Sequence, residues 1–159
     1  MYDVTFYFAH HYLEKGDRTI DQMVQAARSG KQNIAEGAAA GNTSKETEIK
    51  LTNVAKASLQ EQLVDYEDFL RVRGLKQWQP DDARLAQTKR ACAAHNDSEY
   101  YRKAMPERSA ETIANIAITL IHQTDWLLNK LIEKLEIQFV ENGGVKEQMT
   151  KARKEYRGY

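Results

Sequence analysis

Ten residues, Gly37-Ala38-Ala39-Ala40-Gly41-Asn42-Thr43-Ser44-Lys45-Glu46, stop one helical pattern and start another. Upstream, Ile20, Met23, Val24, Ala27, Ile34 and Ala38 recur at helical spacing. Downstream, Leu51, Ala55, Leu59, Leu63, Tyr66 and Leu70 do the same. Two amphipathic helices joined by so short a link fold back antiparallel, each burying its stripe against the other. Gly37 and Gly41 supply backbone freedom where the first of the two must stop. Thr43 and Glu46 read as a T-x-x-E capping box for the second. Glu36, a carboxylate near a helix C-terminus where the dipole opposes it, is expected to hydrogen-bond locally and fix the hairpin. Gly30, inside the upstream helix, marks a close approach of a neighbouring helix.

Around this hairpin the remaining pattern is helical as well. Residues 2–14 place Val4, Tyr7 or Phe8, and Tyr12 on one face, ended by Gly16-Asp17-Arg18, and Thr19 is the expected cap of the next helix. The third helix runs from Ser44 to about Arg73, a rod of about 45 Å. A fourth starts near Pro106 and continues to about Glu141, with a stripe of Ile113, Ala117, Leu120, Thr124, Leu127, Leu131 and Leu135. A second line, Ile121, Leu128 and Ile132, widens the apolar arc beyond what one partner helix covers. Each such side chain gains about 1.5–3 kcal/mol on burial, so the extra line predicts association between copies. Residues 75–105 form a helical insertion between the third and fourth helices, and residues 142–159 a tail. The tail is either a final helix or a segment that orders on meeting a partner. The expected fold is all-α: an antiparallel up-and-down four-helix bundle over residues 1–141, with that insertion and that basic C-terminal tail.

Composition closes off several function classes. With two prolines in 159 residues, helix interiors are almost unbroken. The single cysteine, Cys92, permits no disulfide framework and no zinc pattern, which suits a reducing cytoplasm. Lys89 and Arg90 beside it are expected to favour its thiolate. The apolar run Ile113–Ile121 contains Asn115 and Thr119 and is too short to span a bilayer. His122 and Asp125 lie one turn apart, but no Glu-x-x-His is present to complete a di-metal bundle site. Trp126 reads as packing, and no phosphate-binding glycine loop or nucleophile elbow occurs. The chain is therefore expected to be neither an enzyme nor a metal or cofactor protein.

Asn33-Ile34-Ala35-Glu36-Gly37, followed by Ser44-Lys45-Glu46 and Ala57-Ser58-Leu59-Gln60-Glu61, resembles the signature of the four-helix-bundle proteins encoded in ribosomal-RNA intervening sequences. That family includes the accessory variability proteins of diversity-generating retroelements. The resemblance covers roughly residues 19–73. It implies a homopentamer and, on the retroelement branch, a reverse transcriptase and its RNA as partners. The family's G-x-G-R turn is Gly37-Ala38-Ala39-Ala40-Gly41-Asn42 here and lacks the arginine.

Charge is balanced in total, 23 basic against 23 acidic, but not in distribution. Residues 1–70 and 109–141 together carry nine basic and sixteen acidic groups, whereas 71–108 carry nine against five and 142–159 five against two. The candidate phosphate surface is Arg71, Arg73, Lys76, Arg84, Lys89, Arg90, Arg102 and Lys103, extended by Lys146, Lys151, Arg153, Lys154 and Arg157. Such clusters suit phosphate contact, which needs cations and no sequence choice. Tyr100, Tyr101 and Tyr156 are interleaved and can stack on unpaired bases. The expected function is a non-catalytic RNA- or DNA-binding accessory protein acting as a homo-oligomer. The alternative is a structural protein–protein interaction module whose basic insertion docks on an acidic partner.

Overall fold

The computed structural model describes residues 1–158; Tyr159, the last residue of the expected tail, lies outside them. Seven α-helices account for most of the described chain, and no strand is present among the described residues. They are α1 (Tyr2–Tyr12), α2 (Arg18–Ala40), α3 (Lys45–Val72), α4 (Ala83–Ala94), α5 (Ser98–Ala104), α6 (Ala110–Asn142) and α7 (Val145–Arg157), with a 3₁₀ turn at Met105–Glu107. Short polar side chains set the starts. Asp17, Ser44, Asp82, Asp97 and Ser109 each accept a hydrogen bond from a first-turn amide that the helix itself leaves unpaired. Gly74 and Gly143 end α3 and α6 at φ +64° and +69°, in the left-handed range that favours glycine. Beyond α3, the Leu75 amide turns back to the Leu70 carbonyl at 2.9 Å.

Packing follows the pattern in outline and departs from it at the joints. α2 and α3 run antiparallel, since Gly37 meets Leu51 and Glu48 while Gly30 meets Ser58 and Ala55. α3 and α6 are also opposed: Lys56 reaches Asn129 and Asp125, whereas the chain just past α3 meets Glu111 and Asn115. α1 is flanked by α2 and α6 and faces α3 across the core, with Thr5 on Gln62 and Tyr66, and Phe8 on Tyr66 and Phe69. Phe8, Tyr66, Met23, Leu70, Ile113 and Ile121 are the large side chains sealed at the centre.

The hairpin is held by residues other than those expected. Asp17, not Thr19, caps α2; its carboxylate accepts from the Thr19 amide at 2.8 Å. Ser44, not Thr43, caps α3, because Ser44 is the extended residue at the junction and Thr43 instead returns its hydroxyl to the Ala40 carbonyl. Glu46 closes no capping box and pairs with Lys50 one turn on at 2.8 Å. Gly37 does not end its helix, which continues to Ala40. It lies against α3, where a Cβ would stand 3.4 Å from that of Leu51. Glu36 points to solvent, and Asn33 bonds only the Ser29 carbonyl and hydroxyl in its own helix. The carboxylate at the turn is Glu48, buried beneath Gly41 and paired with Lys45 at 3.2 Å. A side chain at Gly41 would strike it at 2.0 Å. Gly30 is a close approach, as expected.

On α6 the buried face takes Ile113, Ala117 and Leu135 from the expected stripe and Ile121 and Leu128 from the second line. Ala114, Ile121, Leu128 and Leu135, seven residues apart, are buried, while Leu127 is 59% and Trp126 60% exposed. An apolar arc this wide has no unique centre, and the helices packed against it decide which edge is covered. Ile137 and Val140 are exposed further along. No described helix is long and apolar enough to cross a membrane.

Candidate nucleic-acid interface

The segment between α3 and α4 is held to α6 through a buried amide side chain, Asn115. Asn115 Oδ1 accepts from the Trp78 amide at 2.8 Å, and its Nδ2 donates to the Lys76 and Glu111 carbonyls, each at 2.9 Å. Trp78 is buried there, with its indole N–H donating to Glu111 and the Arg84 guanidinium 4.8 Å above its ring. Asp82 collects Lys76 at 3.5 Å and Arg84 at 2.8 Å, and Arg84 also meets Glu111. The Arg84 hydrogen bonds hold the Asp82 carboxyl far below the ordinary aspartate range. A carboxyl lowered by folding contributes stability above its unfolded pKa and loses it as pH falls toward the folded value. The start of α4 should therefore stay docked at neutral pH and loosen only in strong acid. Asp82→Asn removes that dependence, and Trp78 emission in a Trp126→Phe background reads both.

These contacts neutralise much of the expected cationic patch. Arg71 pairs with Asp68 at 2.7 Å, Arg102 with Asp3 at 3.6 Å and Lys103 with Glu99 at 2.6 Å. Arg73 stacks on Phe69 at 4.0 Å. Among the described residues, Lys89 and Arg90 on α4 and Lys146, Lys151, Arg153, Lys154 and Arg157 on α7 have no ion-pair partner. The two groups do not form one surface. The start of α7 lines a cleft with Gly41–Glu46, at the beginning of α3, whereas Lys89 sits beside Gln123, about 28 Å back along α6 from Asn142. Sequence order alone cannot show this, because position along the rods depends on which way each helix runs.

Of the expected stacking residues, only Tyr156 stands free, 93% exposed. Tyr101 is buried and donates to the His95 carbonyl at 2.7 Å, and Tyr100 stacks on the His95 ring at 3.7 Å. Burial pushes the Cys92 thiol up, against the effect expected of Lys89 and Arg90. A thiol reagent should modify Cys92 slowly in the folded protein and rapidly once urea unfolds it; equal rates would contradict that burial.

One further feature was not expected. α4 and α6 flank an open, mostly apolar groove of about 750 Å³ lined by Trp78, Leu85, Ile118, His122, Trp126 and Leu127. Its signal in the sequence is the pair of tryptophans, which both face it. No three potential metal ligands come together among the described residues.

The structure thus defines an all-helical protein with two separated groups of unpaired cations. No family model matches the chain, and neither curated proteins nor solved structures give a match.

Proposed function

We propose that α1, α2, α3 and α6 form an up-and-down four-helix bundle carrying α4 and α5 as its insertion, and that the protein binds RNA as a non-catalytic homo-oligomer. The observation that carries the RNA reading is α7: five cations with no ion-pair partner among the described residues, on a helix that buries none of its side chains. Phosphate contact requires this kind of uncommitted charge. Repetition of the patch around an oligomer raises its effective strength. The exposed Trp126, Leu127, Ile137 and Val140 favour such association, because a lone subunit leaves them in water. The resemblance of the hairpin region adds a pentameric assembly in the cytoplasm and a reverse transcriptase as partner.

Fluorescence anisotropy with a single-stranded RNA across a salt series tests the reading. Lys151→Glu with Lys154→Glu should weaken binding about tenfold or more and flatten the log–log salt slope by roughly two, one for each phosphate no longer neutralised. Absence of binding at low salt would leave the protein-interaction alternative, in which the unpaired cations meet an acidic protein.

A further inference from the structure

α7 carries a second feature besides charge. Val145, Met149, Ala152 and Tyr156 follow spacings of four, three and four, and all are exposed. At 100° per residue they fall within an arc of roughly 60°, the narrow seam of a helix that packs on another helix. Lys146, Arg153 and Arg157 border one side of this seam, while Lys151 and Lys154 point away from it. A bilayer-binding helix needs a wide apolar face with large side chains. This seam is too thin for that.

A surface with matching character lies on α3. Val54, Ala57, Val64 and Val72 share one exposed arc of roughly 100° with Glu61, Asp65 and Asp68. Of the three carboxylates only Asp68 has an ion-pair partner, Arg71. Burial, then the charges of Asp68 and Glu61, push the Asp65 carboxyl up, so a cation placed there relieves repulsion already present. The face from Val54 to Val72 is about 27 Å long and the α7 seam about 17 Å, so the seam fits within it.

The α7 of the same chain does not reach that far. It leaves Gly144 beside Glu46 and is about 20 Å long, whereas Asp65 and Asp68 lie about 28 and 33 Å along α3 from Glu46. A cleft of about 800 Å³ also separates α7 from Gln138 and Glu141 on α6, so it stands off its own subunit. We infer that α7 straps onto the valine- and carboxylate-lined face of α3 in a second copy of the chain. In a parallel register Val145 and Ala152 pack on Ala57 and Val64 in that contact, and Arg153 and Arg157 answer Asp65 and Asp68. Lys151 and Lys154 stay outward, which leaves them to the nucleic acid. The inference rests on the homo-oligomer reading and supplies one of its interfaces.

Two full-length variants test it, Ala152→Cys in one and Val64→Cys in the other, each with Cys92→Ala. Mixed and mildly oxidised, they should give at least fivefold more disulfide-linked dimer than either variant alone. A chain carrying both cysteines that closes on itself at monomer mass would overturn the strap, as would no mixed dimer. In a second arm, Arg153→Glu with Arg157→Glu should weaken self-association about tenfold by sedimentation, and Asp65→Lys with Asp68→Lys should restore it. Reversal that lowers RNA affinity while leaving the mass unchanged would assign those arginines to nucleic acid and overturn the contact. A wild-type chain that stays monomeric at all concentrations would remove the oligomer itself. An oligomer indifferent to both arms would remove only the strap.

Discussion

Phe8→Ala is expected to lower the free energy of unfolding by about 3–5 kcal/mol, the cost of removing a fully enclosed aromatic ring. Phe8 is inaccessible to solvent and sits between Tyr66, 4.9 Å away, and Phe69, 4.6 Å away and edge-on. Both ring–ring interactions disappear along with the buried area, and three rigid helices meet at the site, so little collapse into the space is possible. Against a typical total of about 5–15 kcal/mol, this is a large fraction of the fold's stability. The effect should also be local in origin. α1 is only 11 residues long and is tied down by Val4, Thr5, Phe8 and Ala9, so it should exchange its amide protons first. Urea unfolding gives the magnitude and hydrogen exchange the location. Phe8→Leu, which retains most of the volume, should cost clearly less. A loss under about 1 kcal/mol for the alanine variant would mean that α1 does not pack in this way.

Asn115→Leu should have the second large effect, through polar groups rather than volume. The leucine fits an apolar helix but leaves the Trp78 amide and the Lys76 carbonyl without their partner. Each buried group so stranded costs about 1–3 kcal/mol. The chain between α3 and α4 can avoid that cost, since it can come away from α6 and be solvated. The expected outcome is therefore partial release of residues 75–105, seen as faster proteolysis there and a red-shifted Trp78 emission, with the α2–α3 pair still folded. Asn115→Asp keeps the acceptor for Trp78 and removes both donated bonds, so it should fall between. Unchanged proteolysis would mean that α4 is held by its groove-side packing alone. Because Lys89 and Arg90 ride on α4, the same variant asks whether their placement matters for RNA binding.

Asn115 also shows where reading the chain as a string stops. In the sequence it is an interruption in the apolar run Ile113–Ile121, enough to argue against a membrane span. Its three hydrogen bonds join it to residues 4, 37 and 39 positions away. Nothing in a periodicity signals a partner so remote. Glu48 is similar. It looks like one more acidic residue in the first turn of α3, and only the return of α2 over it makes it the buried charge beneath Gly41. Glu36, the more conspicuous carboxylate of the pair, is left in solvent.

The sequence by itself determined the helices, since local spacing and capping chemistry act within a few residues. Stripes at three and four, Asp or Ser before five of the seven starts, and Gly74 and Gly143 after two of the ends set the elements to within a few positions. Gly30 signalled close approach on the same terms. Which edge of α6 faces inward, which cations are already paired, and the separation of the two basic groups along α6 were decided by tertiary structure alone. Those properties depend on how whole helices are placed against each other, and the energy that places them comes from interactions between residues dozens of positions apart.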